Sequence, residues 1–174
     1  MNRDAFRQGT YVATLNKYRA VNKLSAKDSF EKGLALTKSG KYRDAIEAYS
    51  KGIELDPQNA TTYYNRGNVY GRRLGNFPLA IEDFNRAIDL NPEFVSAYDN
   101  RANANYLLGN YQEAIRDCNQ AIKLDPKDPL AYYTRGHAYY ELGDRRRTIN
   151  DFRTAARLGL KPAQDFLKSK GIRW

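Results

Sequence analysis

The chain repeats itself, and that limits its fold more than any single residue does. Residues 95–128, VSAYDNRANANYLLGNYQEAIRDCNQAIKLDPKD, align with TTYYNRGNVYGRRLGNFPLAIEDFNRAIDLNPEF before them and PLAYYTRGHAYYELGDRRRTINDFRTAARLG after them. One unit further back, SAKDSFEKGLALTKSGKYRDAIEAYSKGIELDPQN fits as well. The matched columns are Gly33, Gly67, Ala102, Gly136; Gly40, Gly75, Gly109, Gly143; Ala45, Ala80, Ala114, Thr148; and Tyr49, Phe84, Cys118, Phe152. The spacing is 34 residues, with a single 35. A period of this size marks a stack of supersecondary units, none of which buries its apolar face alone.

Each unit reads as two helices. Ser29, Tyr63, Tyr98 and Tyr132 stand four residues before the small column and share a face with it, so the aromatics are expected to fill the space beside it. The glycine at 40, 75, 109 and 143 ends the first helix as a left-handed cap. Asn110 and Glu113 have the spacing of a capping box at the start of the second. Ala114, Ile115, Cys118, Ala121, Ile122 and Leu124 then form a helical stripe. Asp56-Pro57, Asn91-Pro92 and Asp125-Pro126 stop it, since proline disfavours a helical residue before it. The predicted fold is all-α: a right-handed solenoid of stacked antiparallel helix pairs.

The expected organisation is an N-terminal helical extension over 1–25, repeats over 26–59, 60–94, 95–128 and 129–160, and a capping helix with tail over 161–174. In the extension, Val12, Leu15, Tyr18, Val21 and Leu24 recur every three residues. This stripe either covers the open edge of the first repeat or docks on another subunit. The last unit drifts from the pattern, with Arg145 in place of the aromatic of Tyr42, Phe77 and Tyr111, and Leu160 in place of the proline. AQDFLKSKG, with Phe166 and Leu167 as its apolar contacts, is read as the C-terminal cap, and Trp174 as folding back. Gly67 and Gly75 lie eight residues apart where the other units have seven. The extra residue gives either a π-bulge, which would re-aim Arg72 and Arg73, or a longer turn.

The pattern aromatic-x3-Gly/Ala, x-Gly-x-Tyr/Phe, Ala-Ile-x3-Tyr/Phe, Leu-Asp/Asn-Pro resembles the tetratricopeptide repeat over about residues 26–160. The resemblance implies a superhelix whose first helices line a concave groove for peptides or partner segments.

Composition limits the chemistry. The 174 residues hold one histidine, His137, and one cysteine, Cys118. No histidine-based metal cluster or nucleophile–histidine–acid set can be assembled without leaning entirely on His137. There is no glycine-rich phosphate loop, and no enzyme, metal or cofactor is expected. Cys118 reads as a small buried hydrophobe, since its column otherwise holds Tyr and Phe. No apolar run is long enough for a membrane span or a signal-peptide core, which favours a cytoplasmic chain, although a processed one would read the same. The net charge of +9 is loaded at the ends, +4 in residues 1–25 and +6 in residues 129–174. That is a solvated capping surface before it is a nucleic-acid track.

The groove carries the binding expectation. Two residues before the small column stand Glu31, Asn65, Asn100 and Thr134; one after it stand Leu34, Asn68, Asn103 and His137. Asn65 with Asn68 and Asn100 with Asn103 thus fall on successive first helices, and asparagine offers both a donor and an acceptor to an extended peptide. The arrangement is similar to the asparagine ladder of O-GlcNAc transferases at Asn65 and Asn100, while Glu31 and Thr134 break it. The alternative is that these asparagines bond neighbouring helices. The carboxylate clamp of chaperone-binding cofactors is matched at Asn68 and Asn100, but Tyr64, Leu130 and Thr134 stand where its cations belong. Arg66, Arg101 and Arg135 form a column expected to pair with acidic residues of second helices such as Asp83 and Asp117. The expected groove residues are Tyr64, Asn65, Asn68, Asn100, Asn103, Tyr133, His137 and Tyr140, with Arg72 at the periphery. The expected function is a protein-interaction scaffold holding a partner peptide. The alternatives are a scaffold that self-assembles into a homo-oligomer through residues 1–25, and a polyanion or RNA binder using its basic ends.

Overall fold

The computed structural model describes residues 3–174, with the side chains of residues 12, 14, 16–18, 21–22 and 25 onward. Among these the secondary structure is all helical. Helices α1 (Arg3–Lys38) and α2 (Tyr42–Leu55) form the first pair, and α3 (Ala60–Asn68, continued by a π turn over Val69–Arg73) and α4 (Phe77–Leu90) the second. Helices α5 (Val95–Leu107) and α6 (Tyr111–Leu124) form the third, α7 (Pro129–Glu141) and α8 (Arg145–Arg157) the fourth, and α9 (Lys161–Ser169) closes the stack. Each helix packs on its neighbours in chain order, the arrangement of an all-α superhelix. The glycines at 40, 75, 109 and 143 all have φ between +67° and +80°, where a side chain would strain the turn. Helices α2, α4 and α6 end at Leu55, Leu90 and Leu124, two residues before a proline.

The small column is filled from a different side than expected. A Cβ on Gly33 would lie 2.5 Å from Tyr49, one on Gly67 2.8 Å from Phe84, and one on Gly136 3.0 Å from Phe152. The aromatic against the glycine therefore comes from the second helix. The third repeat has Ala102 in the column and Cys118 opposite, both fully buried, so a larger residue on one helix meets a smaller one on the other. The first-helix tyrosines lie elsewhere: Tyr63, Tyr98 and Tyr132 sit beneath the guanidinium groups of Arg66, Arg101 and Arg135 at 5.5–5.9 Å.

Those arginines tie three helices together. Arg66 forks onto both oxygens of Asp83 at 2.9 and 2.7 Å, and Arg101 onto Asp117 at 2.9 and 2.6 Å. Arg135 forks onto Asp151 with both contacts at 2.8 Å. The remaining nitrogen reaches back to the previous repeat, to Ser50 Oγ, Asn85 Oδ1 and Asn119 Oδ1 respectively. The planar five-donor fork suits this three-way contact as lysine would not.

Two local expectations are corrected. Asn110 makes no capping bond; its Nδ2 turns to Asn105 Oδ1 at 3.4 Å, because Asn105 is buried and its carbonyl needs a donor. The described side chains of the N-terminal stripe do not cover the first repeat. Helix α1 runs unbroken through residues 25 and 26, since residues 19–32 contain no glycine or proline to turn it back. Val12, Tyr18 and Val21 are 53, 64 and 56% exposed, while the side chains of Leu15 and Leu24 lie outside the described residues.

At the other end, Leu167 is fully buried against Phe152, Ala155, Ala156 and Ala163, with Phe166 and Ile172 packed around them. The tail folds back, Arg153 Nε donating to the carbonyl of Arg173 at 3.0 Å, but Trp174 stays 43% exposed. No helix among the described residues is long and apolar enough to cross a membrane.

Candidate functional site, a trough along the first helices

Three cavities follow one another along the first helices and share walls. The first, of about 500 Å³, is bounded by Leu34, Lys38, Asn65, Asn68, Arg72 and Arg73. The second, of about 280 Å³, has Arg72, Phe77, Asn100, Asn103 and Leu107 in its walls. The third, of about 160 Å³, lies among Asn103, Tyr106, Tyr133, Thr134 and His137. Arg72 divides the first from the second and Asn103 the second from the third, so together they form one stepped trough.

The extra residue of the second repeat is accommodated as a π turn over Val69–Arg73. Widening the turn keeps Val69 and Gly71 buried while Arg72 and Arg73 reach the trough. Arg72 is therefore a wall residue shared by two cavities, more central than its sequence position implies.

The asparagines divide into two kinds. Asn100 Nδ2 donates to Asn68 Oδ1 at 2.7 Å and to Tyr64 Oη at 3.1 Å, joining α5 to α3. Asn65 Nδ2 bonds the carbonyl of Thr61 at 2.8 Å in its own helix. Asn103 is exposed, and its side chain bonds no other described residue. Tyr64 packs at a tilt against Phe94 at 4.7 Å and Phe84 at 6.1 Å, and bounds none of the three cavities.

The far end of the trough is aromatic. His137 meets Tyr133 edge-on at 4.5 Å, Phe152 at 5.0 Å and Tyr106 at 5.8 Å. Burial lowers its pKa, against a smaller opposing pull from Glu141, so the ring is neutral at physiological pH. Tyr140 is not gathered with the others. It opens on a separate cavity of about 380 Å³ against the cap, with Arg145, Ile149, Phe166 and Lys170.

The expected groove residues leave out Lys38, Arg73 and Tyr106, which line the first and third cavities. Lys38 stands five residues after Gly33 and Arg72 five after Gly67, so the register that located the asparagines also locates both cations. Among the described residues no group of His, Cys, Asp and Glu is arranged to hold a metal ion. Burial raises the Cys118 thiol far above its ordinary value and keeps it protonated.

Stacked helix pairs with a trough along their first helices define a helical-repeat interaction protein. Family models described as TPR repeat match residues 33–73 and 102–143, and models described as tetratricopeptide repeat match 60–94 and 130–158. The chain belongs to the tetratricopeptide repeat family, whose members are protein-interaction scaffolds. RNA polymerase II-associated protein 3 of Rattus norvegicus is 48% identical over 42 residues, which is 24% of this chain and 6% of that protein. The chain thus spans only a small part of this curated relative. Among solved structures, the first TPR of Spaghetti (RPAP3), bound to the HSP90 peptide SRMEEVD, is 33% identical with a TM-score of 0.67, covering 70% of this chain and 95% of that one. MamA is 26% identical with a TM-score of 0.74, covering 92% of this chain and 95% of that one.

Proposed function

We propose that this protein is a non-enzymatic adaptor that holds an extended segment of a partner protein in the trough. The observation that carries this reading is the continuity of the three cavities through the shared walls Arg72 and Asn103. A bound strand would meet amide groups at Asn65, Asn68 and Asn103 and aromatic surface at Tyr106 and Tyr133. Tyrosine supplies contact area with a polar tip at low entropy cost. The peptide held by the RPAP3 relative supports this mode of use. Asn100, in the wall of the second cavity, fixes Asn68 and is itself held by Tyr64 behind the surface, and Tyr140 serves the cap. The test is Asn103→Trp, which fills the trough at an exposed position and leaves the helical circular dichroism unchanged. Once the partner is identified by co-purification, its affinity should fall at least about tenfold, or 1.4 kcal/mol. Unchanged affinity would sink the reading.

A second reading, self-assembly through residues 1–25, is favoured by the exposed Val12, Tyr18 and Val21. Its test is mass in solution across a concentration series, with and without that segment. A mass that does not rise with concentration removes it.

A further inference from the structure

We propose that the first cavity is an anion subsite, assembled by the π turn, that takes the side-chain carboxylate of an acidic partner peptide. The proposal rests on the trough reading and adds the chemistry of the ligand. Lys38, Arg72 and Arg73 converge on the cavity, and no Asp or Glu is among the residues that line it. These cations differ from the arginines that recur in the repeats. Arg66, Arg101 and Arg135 each carry an aspartate. The side chains of Lys38 and Arg72 form no ion pair or hydrogen bond with any described residue. Arg73 Cζ lies over the Tyr42 ring at 5.8 Å, and its guanidinium forms no ion pair or hydrogen bond with a described residue.

Of the two asparagines in the cavity, Asn68 points the same way, while Asn65, whose NH2 is held by the Thr61 carbonyl, leaves its own carbonyl towards the cavity. The Asn68 carbonyl is engaged by Asn100, so the group it has left for a ligand is its NH2. A cavity with three cations and the Asn68 amide donor calls for an anionic acceptor, and a planar carboxylate suits the guanidinium fork. The one-residue insertion makes this subsite. With the spacing of the other units, the fifth position after the small column would be the only basic one, whereas the π turn brings Arg72 and Arg73 to the trough together. The same offset in the third and fourth repeats holds Leu107 and Glu141, so the positive end lies at the first two repeats alone. The clamp positions hold Tyr64, Leu130 and Thr134, so this subsite lies elsewhere in the trough.

The test uses a fluorescein-labelled peptide of alternating glutamate and alanine and a matched glutamine–alanine peptide, with fluorescence anisotropy at low salt. The full chain should prefer the glutamate peptide roughly tenfold, the equivalent of about two exposed ion pairs. The preference should shrink as salt is raised, because exposed charges are screened. The double variant Lys38→Gln, Arg72→Gln should lose it. Arg86→Gln, an exposed arginine outside the trough, should keep it. Both mutated positions are exposed, so folding is preserved, as circular dichroism will check. Equal binding of the two peptides by the wild type, no binding of either, or a preference that survives the double variant would overturn the subsite. Asn103→Trp separates the two claims. If it weakens both peptides while the wild type shows no glutamate preference, the trough stands and the subsite falls. If it weakens neither, while the preference tracks Lys38 and Arg72, the subsite stands and the trough reading falls.

Discussion

Asn100 Nδ2 lies 2.7 Å from Asn68 Oδ1, a side-chain hydrogen bond that joins the first helices of two consecutive repeats. The same nitrogen donates to Tyr64 Oη, so one amide fixes the spacing of α3 and α5 and orients the trough wall. Replacing Asn100 with alanine leaves the half-buried Asn68 acceptor without its donor. We expect a loss of about 1–3 kcal/mol in urea unfolding. Asn103→Ala, at an exposed position without a bond, should stay within about 0.5 kcal/mol. Equal losses at the two sites would show that the Asn68–Asn100 contact does not support the fold.

The Arg101–Asp117 pair is held behind the trough, with a side-chain exposure of 21% for the arginine and 9% for the aspartate. Asp117→Ala strands a guanidinium that also holds Asn85, and should cost about 3 kcal/mol. Arg101→Met combined with Asp117→Leu removes both charges and should recover most of that loss. Thermal unfolding followed by circular dichroism gives both values. A double variant no more stable than Asp117→Ala would show that the pair contributes more than mutual neutralisation.

Gly67 and Phe84 are matched as Ala102 and Cys118 are. Gly67→Ala would place a Cβ 2.8 Å from the Phe84 ring and 3.1 Å from Asp83 Cβ, and should destabilise by about 1–3 kcal/mol through overpacking. Phe84→Cys alone leaves a void and should cost about 3–5 kcal/mol. Combined, they reproduce the third repeat's pairing, so the double variant should exceed the sum of the singles by about 1–2 kcal/mol of favourable coupling. Additive losses in chemical denaturation would show that the two positions do not share one space.

The repeat made the fold legible, because each column states the same requirement four times over. Glycine with φ near +70°, the proline stop and the small residue opposite a ring can be read from residue type and spacing alone. Which ring faced the small residue could not, since Tyr63 and Phe84 are both candidates until the helix crossing is known. The candidate site was legible in register and not in bonding. Asn65, Asn68, Asn100 and Asn103 were placed on one face, but the pairing of Asn68 with Asn100 depends on how closely α3 and α5 approach. The π turn was visible as one extra residue between Gly67 and Gly75, and its consequence for Arg72 needed the backbone. Asp99 gave no signal beyond standing in a column of Phe30, Tyr64 and Tyr133, because its partner lies in the turn that leads into the next repeat.

That partner is Asp128, the cap of α7. Its Oδ1 accepts from Leu130 N at 2.9 Å, while its Oδ2 and Asp99 Oδ1 are both buried without a protein donor. Burial is the main cause that pushes the Asp99 carboxyl up to about 8, reinforced by Asp128 and then Asp125. Asp99 therefore carries a proton at neutral pH and can donate it to Asp128. Since the folded value lies above the ordinary 3.8, the folded state holds more protons than the unfolded chain throughout the window between them. Stability from this group is thus complete below about pH 4 and is lost as pH rises towards about 8, with a slope of at most about 1.4 kcal/mol per pH unit. Asp99→Asn supplies a donor that does not titrate. The stability of Asp99→Asn minus that of wild type, from urea unfolding at a series of pH values, should grow between pH 4 and pH 8 and then level off. Asp83 is also raised by burial, but it is common to both proteins and cancels in the difference. A difference independent of pH across that window would show that Asp99 is ionised in the folded protein.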